Sequence, residues 1–324
     1  MLSKLFSREP ETRIFFATDI HGSEVCWKKF LNAGKHYEAN VLILGGDMTG
    51  KALVPIVEKG EGRWQAELLE NRYDFGSEDE VKEFEQAVGR RGYYPFRTTP
   101  DEIAELGEDE KLREELFHEK MLGTVERWMQ MADEKLEGTG IQCFVSPGND
   151  DQFEVDEVVA SARHVQLAEG RVVEFGGYQM VSTGWANRTP WDTYREEDEE
   201  DLKKRLDEMT SQVTAPAEKT IYNFHCPPYG TGLDDAPELT EDLRPKHGGR
   251  SIVPVGSTAV KEAIEEGQPA LSLHGHIHEA RGNTRIGRTL AINPGSSYEQ
   301  GQLLGAMVDL DGKPKVKRFI LTSG

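Results

Sequence analysis

Cysteine is scarce in this chain: Cys26, Cys143 and Cys226 are the only three in 324 residues. They lie far apart and form no Cys-x-x-Cys pair, so neither a disulfide framework nor a cysteine-based zinc finger is expected. Long apolar runs are missing too. Nothing approaches the ~20 apolar residues of a membrane-spanning helix, and Met1–Pro10 holds no apolar run long enough for a signal peptide. A cytoplasmic, reduced setting is the expectation. Positive charge is in short supply, with 38 Lys and Arg against 58 Asp and Glu and a net charge of −20. A surface this acidic repels nucleic-acid backbones and anionic membranes, so neither long nucleic acid nor a membrane is an expected partner. A small anionic substrate is still admitted where a bound metal reverses the field in one cleft.

What is present suffices for a folded core: hydrophobic residues make up 37% of the chain and charged residues 30%. We read residues 1–324 as a single domain. A short apolar run at 13–18 ends at Asp19. A helical stretch follows over 24–37, and a second apolar run, 41–44, breaks at Gly45-Gly46 just before Asp47. This is strand, helix, strand, with polar residues at the strand ends. Further strands are expected at 141–145, 171–175, 178–183, 220–224 and 270–273, with a helix at 257–266. The acidic stretch from Arg195 to Met209 reads as a solvated helix.

The span between Asp47 and the strand at 141–145 is too long for a plain connection, which takes ~4–6 residues. Residues 51–140 therefore read as an insertion. It holds a hairpin, 53–57 with 63–69, and helices over 78–88 and 108–136. It is placed to cap the strand-end face or to form an oligomer contact.

One pattern recurs along the chain: an apolar strand ends and a metal-capable side chain follows, often beside glycine. It occurs at Asp19/His21, Asp47, Asn149, His225 and His276/His278. Asp, Asn and His supply the oxygen and nitrogen ligands that suit Mn, Fe or Zn. Asp19 and His21 share a face if their backbone is extended, and His276 and His278 repeat that spacing. Each piece alone is common by chance, and a lone histidine after a strand is more often structural. The five pieces in this order are specific.

Together these blocks resemble the calcineurin-like metallophosphoesterase superfamily, whose order is Asp-x-His, Gly-Asp, Gly-Asn-His-Asp/Glu, His and Gly-His-x-His. Here they read Asp19-Ile20-His21, Gly46-Asp47, Gly148-Asn149-Asp150-Asp151, His225 and Gly275-His276-Ile277-His278. His225-Cys226-Pro227-Pro228 and Asn293-Pro294-Gly295-Ser296 agree with the flanking segments. The resemblance spans most of the chain but not the insertion. It implies an α/β fold, a four-layer α/β/β/α sandwich of two mixed sheets, carrying a large, mostly helical insertion. It also implies two divalent or trivalent metal ions, Mn before Fe or Zn. One would take Asp19, His21, Asp47 and His278, the other Asp47, Asn149, His225 and His276, with Asp47 bridging. A metal-bridging hydroxide would attack a small phosphoester.

The departure is Asp150, where the superfamily has histidine. An ionised aspartate repels phosphate, and a diester carries one negative charge fewer than a monoester. The expected activity is therefore a phosphodiesterase, with Asp47, Asn149 and Asp150 at the reaction centre. The alternatives are a phosphomonoesterase and a non-catalytic scaffold of the same fold. Asp150 also reads as a loop residue turned away from substrate. Asn187, Arg188, Lys246 and Arg250 are weaker substrate-contact candidates, and Trp185 and Tyr229 candidate pocket residues. His274 reads as structural, and His36, His118, His164 and His247 carry no motif.

Overall fold

The computed structural model of the chain describes residues 12–311 and 316–324. The Met1–Pro10 reading lies outside the described residues. Two six-stranded mixed sheets dominate. The first runs, in spatial order, Arg318–Ser323, Leu304–Leu310, Thr12–Ala17, Val41–Leu44, Gln142–Val145 and Val165–Leu167. The last four are mutually parallel, and the first two form an antiparallel flank. The second runs Gly282–Ile286, Thr289–Asn293, Leu271–Leu273, Thr220–Phe224, Tyr178–Thr183 and Val172–Phe175. Its middle four strands are parallel and both edges antiparallel.

The two sheets meet face to face. Ile14, Phe16, Ile43 and Phe144 of the first pack in one buried cluster with Met180, Ile221, Leu273 and Ile292 of the second. Parallel strands buried on both faces read as near-continuous apolar runs, as Val41–Leu44 does. The outer face of the first sheet is covered by helices Glu24–His36 and Glu110–Leu136, where Trp27 stacks on Trp128 at 5.2 Å. Helices Glu199–Ser211 and Thr258–Gly267 cover the outer face of the second.

Between Asp47 and Gln142 lie helices Glu78–Arg90, Pro100–Glu108 and Glu110–Leu136 and a four-stranded sheet. That sheet is richer than a hairpin. Asn71–Phe75 extends the expected pair, and Tyr94–Thr98 adds in parallel to Leu53–Gly60. A small cluster including Ile56, Val81, Phe84 and Val88 holds sheet and helix together. The acidic stretch also differs from expectation. Its helix starts only at Glu199, and Arg195 and Glu196 are buried. Arg195 is drawn inside by an ion pair with Asp156 at 2.6 Å and by the carbonyls of Asp151 and Gln152. A guanidinium is tolerated there because nearly every donor is matched.

Candidate metal centre

The parallel strands of both sheets deliver their C-terminal ends to one place. Asp19 and His21 follow Thr12–Ala17, Asp47 follows Val41–Leu44 and Asn149 follows Gln142–Val145. From the second sheet, His225 follows Thr220–Phe224 directly, and His276 and His278 follow Leu271–Leu273. Backbone hydrogen bonds zip adjacent loops, with Asp19 N donating to Gly46 O at 2.9 Å and His21 N to Asp47 O at 3.0 Å. Across the sheets, the backbone N–H of His276 donates to the Asp19 carboxylate at 3.1 Å.

The pairs two residues apart do not converge through extended backbone. Asp19, His21, Asp47 and His276 have φ of 52°, 36°, 49° and 66°. Left-handed conformations of this kind cost on the order of 1–3 kcal/mol each for non-glycine residues and cluster at functional sites. Two glycines make the close approach possible. A Cβ on Gly46 would lie 2.1 Å from His225 Nδ1, and one on Gly148 would lie 2.1 Å from Asp47 Oδ1.

Two triads of ligand atoms result, each within 4.8 Å mutually: Asp19, His21 and His278, and Asp47, His225 and His276. Asp47 Oδ2 stands between them, 3.6 Å from His21 Nε2 and 3.4 Å from His225 Nε2. Asn149 Oδ1 is 2.8 Å from His276 Nδ1. The Nε2 atoms of His21 and His278 face each other at 3.0 Å. Ligand atoms ~2.1 Å from one cation and at right angles to each other lie about 3 Å apart, so these contacts suit a shared metal. His225 supplies the sharpest test of fit. Its Nδ1 faces Gly45 O at 3.0 Å, and its buried Nε2 has no hydrogen-bond partner and points at the cluster. A backbone carbonyl on one ring nitrogen is the usual way to orient the other towards a metal. The residues fit a pair of cations.

The electrostatics divide the imidazoles: burial opposes the charge on His225, yet the Asp47 and Asp19 carboxylates push its pKa up to about 10, so a cation there would replace a proton. Burial works against the Asp19 charge, yet the His278 hydrogen bond and the His225 charge hold its pKa down to about 2. Burial likewise opposes the charge on Asp47, and His225 keeps it well below the usual carboxylate range. Burial pushes the imidazoles of His21 and His276 down to about 3 and about 4, leaving neutral rings able to donate lone pairs.

Asp150 does not turn away. Its carboxylate takes an ion pair from Lys51 Nζ at 2.5 Å and lies 3.9 Å from His21 Nδ1. Burial and the neighbouring Asp47 raise its pKa to about 6, with Lys51 acting in the opposite direction. With His21 and Asp47 it forms a third cluster of metal-capable atoms. Its backbone N–H donates to Asp47 Oδ1 at 3.0 Å.

Several contributors were not visible in the sequence as such. Asp151 is fully buried and accepts from the backbone of Met48, Thr49 and Gly148 and from the Thr49 hydroxyl. It fastens the Asp47 loop to the Asn149 loop. Its place as the last residue of the Gly-Asn block was its one signal. Tyr298 packs its ring 4.7 Å from that of His21. Thr193 accepts from Asn149 Nδ2 at 2.8 Å. Of the weaker candidates, Asn187, Arg188 and Tyr229 line the cleft above the cluster. Lys246 pairs instead with Glu238, and Trp185 lies under the Arg205 guanidinium. His274 is structural, with its ring nitrogens on Phe224 O, Cys226 O and Ser272 Oγ.

No family model matches the chain. An uncharacterized protein of Methanocaldococcus jannaschii is 30% identical over 152 residues, which is 46% of this chain and 61% of that protein. The chain thus spans less than two thirds of that relative. One solved crystal structure aligns over 97% of this chain and 98% of its own, with a TM-score of 0.56 and 16% identity. The TT1561 protein of Thermus thermophilus aligns over the same shares, with a TM-score of 0.50 and 12% identity. At such identities the likeness is one of fold alone. The chain shares the fold of these two structures over nearly its whole length.

Proposed function

We propose that this protein is a metal-dependent phosphodiesterase acting on a small phosphodiester. The observation that carries the reading is the double triad with Asp47 between its halves, completed by the orphaned, carbonyl-oriented His225 Nε2. Asp19, His21, Asp47 and His278 would hold one divalent cation, and Asp47, Asn149, His225 and His276 the other. The pair would supply charge neutralisation and an activated water for in-line displacement at phosphorus.

The chain's own residues do the rest. Asp47 sets the separation of the two halves. Asp151 holds the Asp47 and Asn149 loops in register, and Gly45 O fixes the ring of His225. Lys51 Nζ, against Asp150, offsets an anion that otherwise repels a phosphoryl oxygen. The Lys51–Asp150 pair contributes no net positive charge, which favours a singly charged diester over a dianionic monoester. A non-catalytic scaffold is the weaker reading, because every proposed ligand position carries a ligand-competent residue.

The test is a substrate panel with Mn, comparing phosphodiesters with phosphomonoesters, run on the parent protein and on Asp47→Ala. Diester turnover that needs Mn and disappears in Asp47→Ala is expected. Full activity in Asp47→Ala, or a site that retains no metal on reconstitution, would refute the reading.

A further inference from the structure

The cleft above the metal centre is a single cavity of about 1100 Å³. Asp47, Asn149, His276 and His278 form its floor, and Trp191, Tyr194 and Tyr229 stand on its wall. These three are among the most exposed large hydrophobic side chains, at 62%, 48% and 41%. None of them stacks on another aromatic ring among the described residues.

The segment that presents Trp191 and Tyr194 is stiff. The buried Glu196 carboxylate accepts from the backbone and hydroxyl of Thr189 and from the backbone and hydroxyl of Thr193. Trp191 N donates to Thr189 Oγ1 at 3.2 Å, and Asp192 turns the chain at φ 48°. The same segment is bonded to the metal centre, through Thr193 Oγ1 to Asn149 Nδ2 and through Arg195 N to Asn149 O. A loop fixed at this many points holds the backbone of Trp191 and Tyr194 in place beside the cluster, and Gln152 Nε2 donates to the Tyr194 hydroxyl at 2.8 Å.

Most polar side chains of the wall are already committed, the Glu279 carboxylate at its edge excepted. Gln152 bonds Tyr194 and faces His118, Thr189 and Thr193 serve Glu196, Arg188 pairs with Asp192 and Asp198, and Asn187 bonds Val255 O. What the wall offers is flat ring faces. Base–aromatic stacking is tolerant of ring identity because every ring has a π-face.

We infer that Trp191, Tyr194 and Tyr229 form a stacking subsite for a flat aromatic group attached to the phosphoester. This rests on the phosphoesterase reading, which places the phosphoryl group on the cluster. The shared ligand chemistry is a ring within a short linker of phosphorus, whether a nucleobase or a simple aryl group. Recognition is by face rather than by edge.

Calorimetric binding to the Mn-loaded protein tests it, with methylphosphonate, cyclohexylphosphonate and phenylphosphonate, and with ribose 5-phosphate and thymidine 5′-phosphate. Phenylphosphonate should bind about tenfold more tightly than methylphosphonate and more tightly than cyclohexylphosphonate. In Trp191→Ala that ratio should fall towards one, and Trp191→Phe should restore most of it. A gain for thymidine 5′-phosphate over ribose 5-phosphate as well identifies the ring as a nucleobase. A gain for phenylphosphonate alone identifies a simple aryl group. Equal affinities across the phosphonates, or a ratio unmoved by Trp191→Ala, would overturn the subsite. So would a change of oligomeric state in Trp191→Ala by light scattering, which would give the rings to a second copy of the chain. If neither methylphosphonate nor the singly charged diester dimethyl phosphate binds, the phosphoesterase reading fails, and tryptophan fluorescence quenching by phenylphosphonate still tests the wall.

Discussion

At the scale of single residues, Lys51 and Asp150 act as a unit. Removing the lysine leaves a carboxylate uncompensated 3.9 Å from His21 Nδ1. Lys51→Ala should lower diester kcat/KM by about tenfold or more, and Asp150→Asn in that background should recover part of the loss. A double-mutant cycle measures this, because contacting residues are expected to be non-additive. Gly148 makes a second residue-scale case. Its added Cβ would lie 2.3 Å from Asp47 N, which is backbone and cannot swing aside. Gly148→Ala should therefore displace Asp47 and reduce turnover by about a hundredfold, as ångström-scale misplacements do. Circular dichroism should show the fold retained.

These residues also show what a sequence can reveal. Asp47 and Asn149 were legible because each follows an apolar run and a glycine, and that arrangement survives as text. Lys51 was not, since a lysine after a glycine is by default a solvated residue, and only the tertiary position of Asp150 gives it a partner. The left-handed backbone of Asp19 and His276 leaves no mark, because the residues that adopt it are there for their ligand atoms. Trp191 and Tyr194 were equally silent: an aromatic in a loop reads the same whether it packs inward or faces a cleft.

At the scale of elements, helix Glu110–Leu136 is tied to the core by more than its apolar stripe. The Asp133 carboxylate near its end accepts from the backbone of Arg163 at 2.9 Å and of His164 at 2.8 Å. Burial alone would raise its pKa, but these donors lower it below the ordinary 3.8. A depressed carboxylate stabilises the fold above its unfolded pKa and loses that contribution as pH falls through the folded value. Asp133→Ala should thus cost about 1–2 kcal/mol at neutral pH, and the difference from the parent should shrink below about pH 4. Urea denaturation at several pH values measures both. The inserted sheet belongs to this scale too. Its first hairpin was readable from the glycine-rich turn at 59–62, whereas Asn71–Phe75 carries too few apolar residues to show a strand. The acidic run misled for a related reason. Charge patterning marks a solvated helix, but it cannot show that Arg195 finds Asp156 on another element.

At the scale of the whole molecule, the two sheets meet not only through their shared core but also at their strand ends. Asp19 and His21 come from one sheet and His278 from the other, and Asp47 is likewise joined by His225 and His276. A cation in either triad would be a cross-link between sheets. It would also close loops of very long sequence separation, from position 19 to position 278. Such contacts form only once both sheets have docked, so the metal would seal the structure rather than nucleate it. Saturating Mn should then raise the thermal midpoint by about 5 °C or more. It should slow unfolding while leaving the refolding rate nearly unchanged, as expected for contacts absent from the transition state. Stopped-flow chevrons with and without Mn would measure this. A metal effect confined to the refolding limb would mean that the centre assembles early. If it assembles late, the same ions proposed to act on phosphate also serve as the last clasp of the fold, and their loss would loosen the protein before it unfolds.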